Sequence, residues 1–477
     1  MIDRHSNTWQ IDRRRFLGNY VGSLGGIALA SLLADERIGN AGERDSTPPD
    51  DTFLNHPGWG KAKNVICLFQ HGGPSQMDLF DAKPELTRRH GQPHPDELEV
   101  HFHTKQGNLL ASPFKFRPHG QSGMQLSELL PHTAGVVDDL TLIRSMTTES
   151  VDHEAALRLI HTGRIIASRP VWGSWVLYAL GSENRDLPSY VVLADNGLPI
   201  DGVRNWSSGW LPASFQGTRF QRDGSPVLHL NTPEGITPGA RRRQLDLLKA
   251  LNTDHAARHG SNNELAARIA NFETAARMQT AVPEAVNLSR ETASTRRLYG
   301  LDNPTTADYG RRCLLARRLV ERGVRFVQIF LEGQPWDTHS KNAESLKGLC
   351  ARTDQPSAAL VRDLKQRGLL DSTIVIWAGE FGRLPISQDD DGRDHNRHAF
   401  SLWLAGGGFS GGYVHGETDP FGYQAVRDIV TIHDLHATLL AALGIDHRRL
   451  TYPHEGRADS LSDHQVTGAR VVPELLA

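Results

Sequence analysis

Short runs of β-branched and aromatic residues alternate along this chain with longer stretches whose apolar positions recur at helical spacing. The runs fall at residues 65–69, 140–144, 190–194, 324–331, 373–377 and 402–405. The run at 373–377 is the clearest: it is apolar on consecutive positions, the pattern of a strand covered on both faces in a parallel sheet. Between the runs, residues 126–137, 155–163, 172–180, 308–322, 355–367 and 432–444 read as helices, and Gly163, Gly323 and Gly444 supply stops. Residues 241–282 read as an inserted pair of helices, with Leu245, Leu248 and Leu251 followed by Leu265, Ile269, Phe272 and Ala276. Helix, glycine and strand in succession, as in residues 308–331, is the signature of an α/β fold.

Chemistry-bearing residues gather where the strands end. After the run at 65–69 come His71-Gly72-Gly73, a tight turn that permits close backbone approach, and then Asp78 and Asp81, which share one face of a helical segment. After the run at 324–331 come Asp337 and His339, which point the same way in an extended segment. The run at 373–377 breaks at Gly379 and is followed by Glu380, Arg383, Arg393, Asp394 and His395. Carboxylates and imidazoles are the ligands of hard or borderline divalent cations, and α/β sheets build sites at the carboxyl ends of their strands. The candidate metal ligands are therefore Asp78, Asp337, His339, Glu380, Asp394 and His395. His153, at the start of the helix ending at Gly163, is a candidate ligand or acid–base group. Arg383 and Arg393 are candidates to stabilise developing negative charge. His398 reads as a loop residue, and His433 and His436 as capping or packing the last helix.

Composition narrows the class. A formal net charge of -3 over 477 residues offers no basic face for nucleic acid. Three widely spaced cysteines, Cys67, Cys313 and Cys350, give neither a disulfide framework nor a thiolate zinc motif. Near the start, Arg13-Arg14-Arg15-Phe16-Leu17 precedes a mild apolar segment with glycines and a small-residue context at Ala28-Leu29-Ala30. This reads as an export signal of the twin-arginine type over residues 1–34, too short and glycine-broken for a stable membrane span. Residues 35–60 read as a linker, and 61–470 as one domain with its helical insertion at about 241–300. The predicted compartment is the periplasm or the extracellular space. Trp206, Trp210, Phe215 and Phe220, in a Gly- and Pro-rich loop region, offer an aromatic wall for a sugar, or else a local core.

Several of these segments also resemble a known family. Gly72-Gly73-Pro74-Ser75-Gln76-Met77-Asp78, Trp336-Asp337-Thr338-His339, Gly379-Glu380-Phe381-Gly382-Arg383 and Gly392-Arg393-Asp394-His395-Asn396 are similar to the domain-of-unknown-function 1501 family. So are Ala405-Gly406-Gly407-Gly408 and the carboxy-terminal His433-Asp434-Leu435-His436, so that the likeness covers nearly the whole mature chain. That family is placed in the alkaline phosphatase and sulfatase superfamily. The resemblance implies a three-layer α/β/α sandwich with a mostly parallel sheet and a two-metal hydrolytic site.

Two departures stand beside that likeness. Residues 373–382 resemble the superfamily strand ending Ser-Asp-His-Gly, but Glu380 stands at the Asp and Phe381 at the His, which removes a ligand. Residues 147–163 resemble the sulfatase nucleophile segment, yet His153 falls near the nucleophile position and no Cys-x-Pro-Ser-Arg is present. A formylglycine mechanism is therefore not expected, and Thr147, Thr148, Ser150, His153 or water is left as the attacking group. The expectation is a metal-dependent hydrolase of phosphate or sulfate esters, acting on a small molecule or glycan. Asp337, His339 and His395 would hold one divalent ion (Zn, Ca, Mg or Mn), with Asp78 and Glu380 holding a second or positioning the first. The rival expectation is a non-catalytic relative that binds sulfated or phosphorylated glycans.

Overall fold

A nine-stranded sheet forms the middle of the computed structural model, which describes residues 56–477 apart from 104–105, 196, 223–225, 228–234, 260–272, 275–276 and 280. The predicted export signal and nearly all of the linker lie outside the described residues. In chain order the strands are β1 (Asn64–Phe69), β2 (Leu140–Thr147), β3 (Tyr190–Leu193), β4 (Thr218–Phe220), β5 (Phe326–Phe330), β6 (Thr373–Ala378), β7 (Phe400–Ala405), β8 (Tyr413–His415) and β9 (Val430–Thr431). Their order in space is β8-β2-β7-β6-β1-β5-β3-β4, with β9 also paired to β2. The central block β6-β1-β5-β3-β4 is parallel throughout, and β7 runs antiparallel to both of its neighbours. All six residues of β1 and of β6 are buried, as their unbroken apolar runs predict.

Helices cover both faces. They are α1 (His153–Thr162), α2 (Trp172–Leu180), α3 (Pro238–His259), α4 (Ala307–Val320), α5 (Asn342–Gln366) and α6 (Ile432–Ala442). Ile66 and Leu68 of β1, Val327 and Ile329 of β5 and Val375 of β6 share one core with Leu314 and Leu319 of α4 and Leu360 and Leu364 of α5. On the opposite face Val65 and Phe326 meet Trp172 and Val176 of α2 and Leu439 and Leu440 of α6. Because side chains alternate across a strand, one sheet supplies both cores, giving the α/β/α sandwich. No helix among the described residues is long and apolar enough to cross a membrane.

The local differences from the sequence reading have physical causes. Residues 126–137 form no helix: Met124–Ser127 pairs with Phe116–His119 as a hairpin, and Thr133–Asp139 is a 3-10 turn whose start is tied to Asp354 by the amides of His132 and Thr133 at 2.7 and 2.9 Å. Helix α5 begins at Asn342, well before the predicted start at 355, because Pro356 lies inside it and not at its first turn. In α3, Leu248 and Leu251 are exposed, so the insertion does not bury its leucines as its spacing suggests. Leu265, Ile269, Phe272 and Ala276 lie outside the described residues.

The basic helix α4 buries three of its arginines, Arg312, Arg317 and Arg318. Arg317 is 1 % exposed and pairs with Glu291 at 2.7 Å, Asp363 at 2.9 Å and Glu321 at 2.7 Å. Removing one partner of such a group leaves uncompensated buried charge, which typically costs about 3–5 kcal/mol. Arg317→Ala is therefore expected to lower unfolding free energy by about 3 kcal/mol or more, read from denaturant midpoints, whereas an Ala at the exposed Arg242 leaves the midpoint unchanged.

Candidate metal centre

The parallel strands β1, β5 and β6 are neighbours, so their carboxyl ends release chain at one edge of the sheet. From β1 comes His71, from β5 Asp337 and His339, and from β6 Glu380. His395 arrives just ahead of β7, and His153 opens α1, where the Asp152 side chain accepts the Ala155 amide at 3.0 Å as N-cap. The turn after β1 needs its glycines. Gly72 has φ +115° and a Cβ there would sit 2.5 Å from the Asp337 nitrogen, while a Cβ on Gly73 would sit 2.7 Å from the Phe381 ring. Their bareness lets the three strand ends close on one another.

One carboxylate oxygen is the focus. Asp337 Oδ1 lies 3.0 Å from His339 Nε2, 3.2 Å from His395 Nε2, 3.4 Å from His153 Nε2 and 2.7 Å from an Arg383 nitrogen. Each of the three imidazoles is held at its other nitrogen by an oxygen. His395 Nδ1 meets the Val151 carbonyl at 2.6 Å, His153 Nδ1 meets Glu380 Oε1 at 2.6 Å, and His339 Nδ1 meets Gln388 Oε1. Such a partner can take the Nδ1–H and turn Nε2 inward to the Asp337 oxygen, the arrangement seen around metal-binding histidines.

A second group abuts the first. His71 Nε2 is 3.7 Å from Glu380 Oε1, which also accepts the Gly72 amide at 2.9 Å. The ligand atoms of His71, His153 and Glu380 converge, as do those of His153, Asp337 and His395, so His153 belongs to both groups. Both ring nitrogens of His71, Nε2 of His153 and Oε2 of Glu380 are buried without a hydrogen-bond partner. Buried polar atoms are normally paired, so one nitrogen each of His71 and His153 and Oε2 of Glu380 fit donor positions for a cation. The residues present fit one.

The electrostatics follow from crowding acids and imidazoles in a closed space. Burial alone would raise the carboxyl of Asp337, but bonds from His153, His339 and His395 and the Arg383 charge hold it far below the usual carboxylate range. Glu380 is likewise raised by burial and lowered more strongly by His71 and His153, to about 2. Burial disfavours charge on His153, yet its bonds to Asp337 and Glu380 outweigh that and push it up to about 9. For His395 burial prevails over the Asp337 bond and takes it down to about 4, and burial also lowers His71.

Of the remaining expected site residues, Asp394 forms a third converging group with His339 and His395, while Asp78, Arg383 and Arg393 serve other partners. Asp78 is fully buried against Arg393, with contacts at 2.8 and 3.2 Å, and also accepts from Ser75 and Asn342. Asp78 is thus no part of the converging groups, and Arg393 spends its charge on it. Arg383 is fully buried too, donating to the carbonyls of Gly72, Gly73, Trp336 and Arg393 as well as to Asp337. It orients Asp337 and has no face toward a substrate. Asp394 comes near His339 and His395. Its Oδ2 nevertheless accepts the amides of His101 and Phe102 and the Gln106 side chain at 2.8–3.0 Å, and its Oδ1 accepts the His395 amide at 2.8 Å. It thereby straps a loop over the centre, with the His101 ring stacked on His395 at 4.9 Å. Phe381 packs against the rings of His153 and His395 at 4.7 and 4.6 Å as an apolar floor. His71 is the residue that sequence reading passed over, although its place directly after a central buried strand was a usable signal. His433 and His436 bond to the carbonyls of Gly163 and Ile160 at 2.9 and 2.8 Å, packing α6 as expected.

A sandwich of this topology with an acid–imidazole cluster at the carboxyl edge of its sheet defines the class. The chain belongs to the family described as Protein of unknown function (DUF1501), whose model matches residues 62–476. No curated protein matches its sequence. Among solved structures it is similar to the lipoteichoic acid synthase LtaP from Listeria monocytogenes, at 10% identity and TM-score 0.35 over 83% of this chain and 77% of that one. It is also similar to the phosphonate monoester hydrolase SpPMH from Silicibacter pomeroyi, at 12% identity and TM-score 0.30 over 72% of each chain. A further likeness, to TAB5 alkaline phosphatase, has 12% identity and TM-score 0.28 over 73% of this chain and 92% of that one.

Because Gly72 combines a left-handed backbone with contact on Asp337, Gly72→Ala is expected to cost about 2 kcal/mol or more through strain and overpacking. Chemical denaturation checks this, with Gly91→Ala, where a Cβ meets nothing within 4 Å, as the control for backbone strain alone.

Proposed function

We propose that this protein is a metal-dependent hydrolase of phosphate or sulfate esters acting in an exported compartment. The observation carrying the reading is the convergence of three imidazole Nε2 atoms on one Asp337 oxygen, with each ring fixed at Nδ1. Three nitrogens and one carboxylate suit a borderline ion such as zinc better than calcium or magnesium, which prefer oxygen. Asp337, His153, His339 and His395 would hold it, with His71 and Glu380 beside it as a second candidate position. A divalent cation at such a place supplies Lewis-acid polarisation of an ester oxygen and acidifies water.

The protein's own groups do the rest. Arg383 fixes the direction of Asp337, and Glu380 fixes the ring of His153. Since both nitrogens of His153 are committed, it serves as a ligand in this reading and not as the attacking group. The loop held by Asp394 brings His101 and Phe102 over the cluster and limits water there. Export through the twin-arginine route suits a protein that carries its metal before crossing the membrane.

One observation favours a second reading. At the helix start where the superfamily nucleophile is expected stands His153, with no hydroxyl or thiol at its position, which fits a relative that binds sulfated or phosphorylated glycans without cleaving them. Metal analysis followed by aryl phosphate and aryl sulfate assays separates the two. We expect bound divalent metal, with zinc foremost, and turnover of at least one ester class. Asp337→Ala and His395→Ala should each lose at least tenfold in metal affinity while keeping the wild-type far-ultraviolet dichroism. Absence of both metal and turnover would sink the hydrolase reading, and metal-dependent turnover lost in Asp337→Ala would sink the binding-only one.

A further inference from the structure

Helix α1 starts in the metal centre at His153 and ends at Thr162, roughly 14 Å further along its axis at the usual rise per residue. Around that far end lies a separate cleft of about 730 Å³, bounded also by the loop through Arg169, the segment through Asp201 and Trp210, and the hairpin that carries His454 and Asp459. None of the residues assigned to the metal centre lines it. Its volume is in the range of ordinary small-molecule sites, but its wall is polar where such sites are usually apolar.

The decisive residue is Arg169. It is only 9 % exposed, its Nε is buried without any hydrogen-bond partner, and its Nη1 stands 3.5 Å from Asp459 Oδ1. One Nη2 bond, to the Ser460 carbonyl at 3.2 Å, is the rest of its hydrogen bonding. The guanidinium also lies over the Trp210 ring at 5.8 Å, so what a ligand would complete is its unpartnered Nε and the long Asp459 pair. By contrast Arg158 is fully engaged by Asp201 at 2.6 and 2.9 Å, which holds that wall in place. Arg204 reaches the same carboxylate at 3.1 Å and is otherwise free to meet an incoming anion. Trp210 lines the cleft as a rigid wall, backed by Tyr452 stacked at 5.5 Å and by Trp175 edge-on at 5.3 Å.

We infer that this cleft binds a carbohydrate bearing an acidic group. Guanidinium groups recognise sulfate, phosphate or carboxylate through charge-assisted bonds. The carboxylate of Glu455 and the Oδ1 of Asn205, whose Nδ2 is spent on the carbonyls of Ile200 and Gly202, suit the hydroxyls of a sugar, which a bare anion lacks. Neither a neutral sugar nor an inorganic anion uses both sets of groups. The inference stands whether or not the metal centre hydrolyses esters.

The test is a calorimetric titration of the full chain with glucosamine 6-sulfate, glucose 6-phosphate, glucuronate, glucose and inorganic sulfate. At least one acidic sugar is expected to bind saturably, with glucose and inorganic sulfate at least tenfold weaker. Which acidic sugar binds best identifies the acid group. The same affinity is expected in Asp337→Ala, whose lesion lies in the metal centre. Arg169→Gln and Arg204→Ala should each weaken binding at least tenfold, and the exposed Arg204 keeps the test valid if the Arg169 variant fails to fold. The inference is overturned if no acidic sugar binds, if glucose or sulfate binds as well as the acidic sugars, or if Arg204→Ala leaves binding intact. It is also overturned if Asp337→Ala abolishes binding, since the ligand then sits at the metal centre. Ester turnover is scored separately, so loss of the hydrolase reading does not decide this one.

Discussion

The guanidinium of Arg383 ties the site together. It is wholly buried and spends its donors on the carbonyls of Gly72, Gly73, Trp336 and Arg393 and on the Asp337 carboxylate. Burying a charge costs several kcal/mol, so it persists only where hydrogen bonds compensate nearly all of it. Here the compensating acceptors come from the ends of β1 and β5 and from the segment before β7, while Arg383 itself follows β6. One cation thus holds four pieces of chain in register, and the Asp78–Arg393 pair does the same a layer behind. The two arginines that looked like substrate ligands are internal fasteners, and the exposed chemistry is left to imidazoles.

Much of the fold was legible because a strand buried on both faces has to be apolar at consecutive positions. The runs in β1, β5 and β6 announced themselves in that way, and the glycine-stopped helix before β5 gave the α/β order. Residues 106–127 were opaque, since their short strands are half exposed and carry no steady period. The first turns of the long helix at 342–366 went unread, and it runs on through Pro356 with buried residues on both sides of the proline. Asp337, His339, Glu380 and His395 could be named from strand-end context, and the structure brings them together. Asp78 could not be judged, because whether a carboxylate faces a cavity or an arginine depends on a partner 315 residues away. His71 was missed since a single imidazole beside two glycines has no periodic or paired signal of its own.

Phe381 has a physical part in this setting. Its ring lies against His153 and His395 and fills space that would otherwise admit water beside buried ionised groups. His71, from the neighbouring strand, stands next to Glu380. The cluster therefore draws its imidazoles and carboxylates from several strand ends. An apolar floor also lowers the local dielectric and strengthens each charge interaction above it.

The reversed strand β7 has a consequence of its own. Because it opposes β6, the chain that leaves the sheet after Ala378 re-enters at Phe400 on the same edge, with no crossover between. Glu380 sits at the departing foot of this excursion and His395 near the returning foot, and the pairing of Gly382 with Asn396 and of Arg383 with His395 clamps the feet together. The exposed turn at Asp389 and Asp390 hangs beyond that clamp. The outer part of the excursion is tied to the site all the same, because Gln388 beyond the clamp pairs with Gln106 and meets His339 Nδ1. Beyond the clamp the excursion thus still reaches the cluster, and a change at Gln388 would be felt in the orientation of the His339 ring.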